Sequence, residues 1–554
     1  MSSILAGPIG PAFSLIAGAL ALILIVRWRQ PGWHSVLAML SLLTAGLLWY
    51  RLRSLPDQAL LERPWEIMVL PTAQLVWQVD GWAWLCGLLA LLVTAIEILF
   101  NWDSAGWNTP QVHSRRLLAL VAALAVVSSN NLLTLAGMWV LFEIALLARA
   151  IARPQQPVVV TGAVGSLLVW LALSLTGLDS AQLPLGAGAL ASLPILLLLL
   201  AGLWRVAFYP FHAWLLASTA YTRPVHLTEF LLPATVGLTL LGRVYQTDLA
   251  LALRQPVWLA IGLLGLLGSS LAAWLDTNQE RGLLLVAVNR VTWCVVAMIL
   301  SPVVGPTAAV WPLMTVTLGL SGMVVGLALV RVAGWRLPLA LAMLALIGVP
   351  GTVGFPVRIT LATLPTMQES LLPGLNLLRW LLTWLADTIA IAAILRHWPA
   401  ATRTPSVEIL FGQRWLVARH LLGFALFAAP LLTLGLQPPL LARWLGLLEP
   451  SPLFDSLWTQ VRLLPGWMWL VQGLAAGLGF LLARWRPRLL VAQVAQQRIV
   501  AQIVDLGWLL AGLRGFGRGL NLASSTITGL LDGAGYVGWL ALIMLLAWFL
   551  QAGS

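Results

Sequence analysis

Apolar and polar positions alternate along this chain in blocks, not residue by residue. Stretches such as "SLIAGALALILIV", "LCGLLALLVTAIEILF" and "LASLPILLLLLAGLW" are apolar on every helical face. A surface helix of a soluble protein keeps a polar stripe, and these have none. About 18 to 20 apolar residues at helical rise cross the hydrocarbon layer of a bilayer. Such blocks recur from end to end, separated by Pro, Gly, Asn and Arg clusters. The pattern predicts an all-α, polytopic membrane protein of about 14–16 transmembrane helices. The spans that matter below are residues 81–100, 131–151, 187–208, 224–247, 281–301, 334–360 and 371–395.

Composition supports this. The chain is 60% hydrophobic and 9% charged, with a mean hydropathy of +0.93. That leaves too little polar surface for a soluble fold of 554 residues. The first basic group, "RWR", follows the first apolar run, whereas a signal peptide carries its charge in front, so residues 4–26 are expected to be a retained span. Cys86 and Cys294 lie in separate apolar runs with no metal or redox spacing, and are expected to be small core residues. The net charge of +12 does not indicate nucleic acid, because the arginines punctuate spans and form no basic face. All 31 basic residues counted as Lys or Arg are arginine.

The arginines concentrate in alternate connections, among them Arg27/Arg29, Arg115/Arg116, Arg149/Arg153, Arg223, Arg281, Arg396/Arg403 and Arg484/Arg486/Arg488. The positive-inside rule places these connections in the cytoplasm and both termini on the outer side of the cell membrane. Residues 489–528 differ from the spans. Apolar positions there alternate with Gln and Arg at helical spacing, which predicts an amphipathic helix along the membrane surface or along partner subunits.

Ionisable residues inside spans are costly, and usually line an ion or proton path. Here they are Glu97, Glu143, Arg205, His226, Glu229, Arg290, Arg358, Arg379 and Asp387. Several spans carrying one predict a connected polar axis through the bundle. Two of these spans are also interrupted, by "FYPFHAW" after Arg205 and by "GVPGTVGFPVR" before Arg358. Broken helices at membrane depth are tolerated where they are buried in protein or line a watery cavity.

The residues around these breaks resemble a known family. "WRVAFYPFHAWLLASTAYTRPV" resembles the Lys-x-x-x-x-Pro-x-His-x-Trp-Leu…Pro-Thr-Pro-Val signature of the antiporter-like, proton-translocating membrane subunits of respiratory complex I (NADH–quinone oxidoreductase). Arg205 stands at the family lysine, and Pro210, His212, Trp214 and Leu215 match. "NNLLTLAGMWVLFE" resembles the motif that carries the family glutamate. "GVPGTVGFPVR" resembles Gly-x-Pro-x-x-x-Gly-Phe-x-x-Lys, with Arg358 at the lysine. "ERGLLLVAVNR" places Asn289 and Arg290 at a Ser-Gln pair. The motifs run in the family's order across about residues 80–360. The chain departs from the family at three points. Val140 occupies the family glutamate position, and Glu143 follows nearly one helical turn later on a similar face. Phe230 falls on the family histidine, beside Glu229. Both family lysines are arginines, which stay protonated at any working pH.

The resemblance implies inverted five-helix repeats with two broken helices. The expected organisation is 1–110 as N-terminal flanking helices, 111–250 and 251–400 as the two repeat halves, 401–485 as C-terminal flanking helices, 486–530 as the lateral amphipathic helix and 531–554 as a final transmembrane helix. It implies an ion pathway, most directly for protons, over Glu143, Arg205, His212, His226, Glu229, Asn289, Arg290, Arg358, Arg379 and Asp387, with arginines as fixed charges and Glu143 partnering Arg205. It also implies other membrane subunits and lipid as partners. FMN, iron–sulfur clusters and quinone would belong to those partners, since this chain has no nucleotide, haem or cysteine-cluster motif. The alternatives are a structural subunit that has lost conduction, or a subunit of a membrane-bound hydrogenase, a multisubunit Na⁺/H⁺ antiporter or a bicarbonate-uptake complex.

Overall fold

The computed structural model describes residues 7–24, 31–54, 60–64, 74–102, 109–150, 156–185, 190–217, 227–245, 256–276, 278–301, 303, 305–362, 373–399, 414–447, 451–491, 515, 518 and 522. His226, most of the expected lateral helix and the expected final span lie outside these residues.

Among the described residues, nine helices are long and apolar enough to cross a membrane, and shorter apolar helices join them. The flank comprises α1 (Ile9–Leu24), α2 (Pro31–Leu52) and α3 (Gly81–Phe100). The first five-span group is α4 (Pro110–Ser128), α5 (Leu132–Ala150), α6 (Gln156–Ser174), the broken pair α8 (Ser192–Arg205) and α9 (Ala213–Ala217), and α10 (Leu227–Val244), with a short surface helix α7 (Leu178–Gln182). The second is α11 (Pro256–Leu275), α12 (Gln279–Leu300), α13 (Pro306–Met314) continuing into α14 (Leu320–Ala333), the broken pair α15 (Leu337–Ile347) and α16 (Phe355–Ala362), and α17 (Pro373–Leu395). The fourth crossing is the interrupted one in both groups. An odd number of crossings in each group is what the expected inverted repeats require. Behind them lie α18 (Arg414–Leu436), α19 (Pro438–Leu445), α20 (Leu457–Arg462) and α21 (Gly466–Val491). Helix α11 packs on α12 and α17, and α17 packs in turn on α21.

The two breaks close with the same backbone device. At the end of α8, Ala207 takes the left-handed conformation (φ +59°), and Phe208 N–H donates to the Leu203 carbonyl at 3.1 Å. At the end of α15, Gly348 takes it (φ +81°), and Val349 N–H donates to the Leu344 carbonyl at 3.0 Å. Both are Schellman-type caps. Side chains supply further donors to carbonyls around the breaks. The Trp204 carbonyl accepts from Ala207 N–H within the cap at 3.3 Å and also from Trp214 Nε1 at 3.1 Å. Arg290 Nη1 donates to the Leu346 carbonyl at 3.0 Å, Arg358 Nη1 to that of Ile347, and Thr315 Oγ1 to that of Val353 at 3.0 Å. Thr315 itself opens a π-helical segment, Thr315–Gly319, between α13 and α14.

Two features depart from the sequence pattern. One is an antiparallel hairpin of β1 (Leu60–Pro64) and β2 (Gln74–Gln78), with Leu60 opposite Gln78 and Pro64 opposite Gln74. Asn130 Nδ2 donates to Gln78 Oε1 at 2.8 Å and Asn131 Nδ2 to the Gln74 carbonyl at 2.9 Å, tying the hairpin over the α4–α5 turn. The other is that α21 continues as one helix through Arg484 and Arg486, which the charge pattern assigns to a connection.

Candidate functional site

The pair at the centre of the first repeat is Glu143 on α5 and Arg205 at the end of α8. Arg205 Nη2 and Glu143 Oε2 lie 3.3 Å apart, with side-chain exposures of 2% and 11%. Helical phase explains this: moving the carboxylate three residues along from the family position keeps it facing α8. Phe142 and Trp214 enclose the cation, their ring centroids 5.5 and 5.2 Å from its guanidinium carbon. The remaining surface of the carboxylate is kept open by α6, where a Cβ on Gly162 would lie 2.6 Å from Glu143 Oε2.

The break after Arg205 packs against the first helices of the second repeat group. His212 is fully buried and stacks on the Tyr209 ring, centroids 4.9 Å apart. Tyr209 N–H donates to Thr292 Oγ1 on α12 at 3.3 Å. Its ring lies against α11, where a Cβ on Gly268 would meet it at 3.0 Å. The neighbouring residue, Ser269, accepts at Oγ from Asn289 Nδ2 at 3.0 Å. Asn289 Oδ1 in turn accepts from Arg290 Nε at 2.9 Å and Nη2 at 2.6 Å.

The second charged centre follows directly. Asp387 on α17 sits between two arginines: Arg358 Nη2 at 2.7 Å from Oδ2, and Arg290 Nη1 at 3.7 Å from Oδ1. Trp293 covers Arg290, its centroid 4.8 Å from the guanidinium carbon. Arg358 Nε also donates to Gln472 Oε1 on α21 at 2.8 Å, and its Nη2 bonds the same oxygen. A small cavity opens here, lined by Trp293, Trp380, Trp384, Arg358, Asp387 and Gln472 among others.

No known family model matches the sequence, and no curated protein does. Solved structures match it. A chain of the Mrp complex from a Dietzia species aligns with a TM-score of 0.72 and 19% identity over 97% of this chain. This chain spans 62% of that one's length. A chain of the membrane-bound sulfane sulfur reductase, an archaeal respiratory membrane complex, aligns with a TM-score of 0.70 and 14% identity, over 97% of this chain and 99% of its own. A chain of respiratory complex I from Thermus thermophilus with bound aureothin gives 0.55 and 19%, over 78% of this chain and 98% of its own. The chain has the fold of these membrane-complex subunits. The likeness read from residues 80–360 therefore extends over most of the molecule.

Within this subunit fold the expected residues fall into place unevenly. Glu143 and Arg205 pair, and Asn289, Arg290, Arg358 and Asp387 form one cluster. His212 stacks on Tyr209, whose N–H reaches Thr292 on α12. Glu229 is half-buried in the first turn of α10. Arg379 is half-buried two turns before Asp387 on α17 and is not among the residues that line the cavity.

Several residues were missed or misplaced by the sequence pattern. Arg116, counted with a basic connection, is buried inside α4, its Nε 2.8 Å from Glu97 Oε1 on α3. Its Nη1 lies 3.4 Å from His113 Nδ1, and His113 Nε2 lies 3.3 Å from Ser35 Oγ on α2. The signal for this pair was Glu97 itself, a carboxylate in an apolar run that needs a countercharge nearby. Arg396 and Arg486, also counted as connection charges, cap the C-terminal end of α11. Arg396 Nη1 bonds the Ala273 carbonyl and donates to that of Asp276 at 2.9 Å, while Arg486 donates to those of Trp274 and Asp276 at 2.8 and 2.7 Å. Cationic side chains satisfy helix C-termini well. Gln472 had no signal beyond being a polar residue in an apolar run.

Proposed function

We propose that this chain is a proton-translocating subunit of a multisubunit membrane complex. The observation that carries the reading is a line of residues that begins at the buried pair Glu143–Arg205, runs over Tyr209 and His212 of the first break to Thr292 on α12, and ends at the buried cluster of Asn289, Arg290, Asp387 and Arg358. It joins the two repeats at their breaks, where backbone groups and water have a reason to be present.

The arginines act as fixed charges, because a guanidinium does not give up its proton at working pH. Protons move over Glu143, Glu229, His226, Asp387 and intervening water. A proton arriving on Glu143 removes the countercharge of Arg205. The positive charge thus exposed disfavours protons further along the line. Asp387, held between two cations, then releases its own. The redox steps of such an assembly would take place in partner subunits holding FMN, iron–sulfur clusters and quinone. The cell membrane, with both termini outside, follows from the arginine distribution. Other membrane subunits and lipid are the expected neighbours.

Proton uptake by the intact complex reconstituted into vesicles tests this. Glu143→Gln is expected to abolish uptake. Equal uptake by wild type and Glu143→Gln would mean that the line is idle. A second reading, a subunit that only holds its partners together, would then lead. It is favoured by one observation, that arginine occupies both positions at which the resembling family carries a titratable lysine.

A further inference from the structure

The charges around Asp387 do not balance. Arg290 and Arg358 each carry one positive charge, and Asp387 is the one carboxylate ion-paired to them among the described residues. The carbonyl end of α15 contributes only partial negative charge, through Leu346 and Ile347. A second carboxylate would be the ordinary companion for a forked guanidinium. The place it would take is filled by Gln472. Its Oε1 accepts from both Nε and Nη2 of Arg358, the two donors a carboxylate would engage. Gln472 comes from α21, outside both repeats, and also lines the cavity beside Asp387.

We infer that Gln472 is a positioning residue for the Asp387 end of the pathway. Its neutral amide oxygen holds the Arg358 fork over Asp387 without adding a second anion, so Asp387 stays the group that alternately gains and loses Arg358 as a proton passes. The inference deepens the proton-translocation reading and rests on it. A carboxylate at this position would compete with Asp387 for Arg358 and cancel the surplus positive charge that drives a proton out toward the cavity. An apolar side chain would release the fork and let Arg358 swing away from Asp387.

Two substitutions separate these roles. In vesicles containing the whole complex, Gln472→Glu should lower proton uptake about tenfold at alkaline pH, since an ionic fork binds roughly twice as strongly as a neutral one. Uptake should return on acidification, because the introduced carboxyl, once protonated, offers a carbonyl oxygen much as the amide does. The groups facing that carboxyl are Arg290, Arg358 and Asp387, with Arg379 further along α17. They are shared with wild type, which should show no such recovery. A substitution that merely disturbed packing would lower uptake alike at every pH. Gln472→Leu tests the positioning itself, by cryo-electron microscopy of the complex, where Arg358 should leave Asp387. A Gln472→Glu complex that pumps like wild type across the pH range, or loses uptake equally throughout, overturns the inference. So does an unchanged Arg358–Asp387 contact in Gln472→Leu. That last observation stands even if the wild-type complex moves no protons, an outcome that would defeat the translocation reading by itself.

Discussion

Arg116 reaches Glu97 at 2.8 Å, and both side chains are shut off from the surface, at 1% and 0% exposure. The pair joins α3 of the flank to α4, the first helix of the first repeat group. Removing one partner leaves an uncompensated charge in a low-dielectric interior, which costs about 3–5 kcal/mol. Glu97→Gln is therefore expected to lower the thermal stability of the purified complex strongly. The double replacement Glu97→Leu with Arg116→Met should recover most of the loss, because a buried ion pair and a well-packed apolar pair are often similar in energy. A double variant as unstable as the sum of the two single ones would show that the side chains do not interact.

The arginines of the two charged centres, Arg205, Arg290 and Arg358, should differ in their tolerance of lysine. Arg205 meets Glu143 through Nη2 alone, and its Nε and Nη1 make no hydrogen bond among the described residues. A lysine ammonium can supply that single contact, so Arg205→Lys should pump, whereas Arg205→Ala should not. Arg290 and Arg358 each hold Asp387 and a carbonyl of the α15 break at the same time. A compact ammonium on a flexible stem cannot span both. Arg290→Lys and Arg358→Lys should each cost about 1–3 kcal/mol for the unsatisfied carbonyl, read as a lower unfolding temperature.

Gly162 and Gly137 offer a controlled comparison. A methyl at Gly162 would come within 2.6 Å of Glu143 Oε2, while a methyl at Gly137, on the same helix as Glu143, meets nothing within 4 Å. Alanine is otherwise favoured in helices over glycine by roughly 0.5–1 kcal/mol. Gly162→Ala should push the carboxylate off Arg205 and reduce proton uptake. Gly137→Ala should leave uptake unchanged. Equal uptake in the two would remove Gly162 from any role at the pair.

Acid should weaken the α11–α17 junction through His397. This imidazole sits just beyond the end of α17 and is 1% exposed. Burial, with Arg396 and Arg486 beside it, pushes it down from 6.5 to about 3. The unfolded chain therefore binds a proton between those values that the folded chain refuses. Stability from this group is full above the unfolded value and falls by about 1.4 kcal/mol for each pH unit below it. His397→Phe should flatten the acid limb of a thermal-stability profile, while an unchanged limb would assign it to other groups.

Much of this fold was legible because its signals are strong. Unbroken apolar runs specify spans, and Pro and Gly beside a lone charge mark the two interrupted ones. The pairing of Glu143 with Arg205 followed from helical phase and the cost of a buried cation. Less legible was what each arginine does once the helices pack. Arg116, Arg396 and Arg486 have the sequence surroundings of topology-setting charges, yet they lie against carbonyls or a carboxylate of other helices. Nothing in a one-dimensional pattern separates an arginine that faces water from one that caps a neighbour far along the chain. Likewise the hairpin at Leu60–Pro64 and Gln74–Gln78 consists of two five-residue strands, too short for alternation to stand out from noise, and it is held by Asn130 and Asn131 from a distant turn. Gln472 joins the charged cluster only because α21 returns to pack on α17.

The π-helical turn at Thr315–Gly319 has a consequence for any relative whose chain is aligned with this one. Such a turn accommodates one residue more than the α-helix around it. Each residue on an α-helix advances the face by about 100°. A helical wheel drawn without allowance for the extra residue therefore turns every side chain from Leu320 to Ala333 by about that angle, moving packed positions more than a quarter turn round the helix. A relative that lacks the extra residue would present Thr315 and the helix beyond it in different phase. It would then need another donor for the Val353 carbonyl, and a gap placed anywhere but within this turn would hide the rotation.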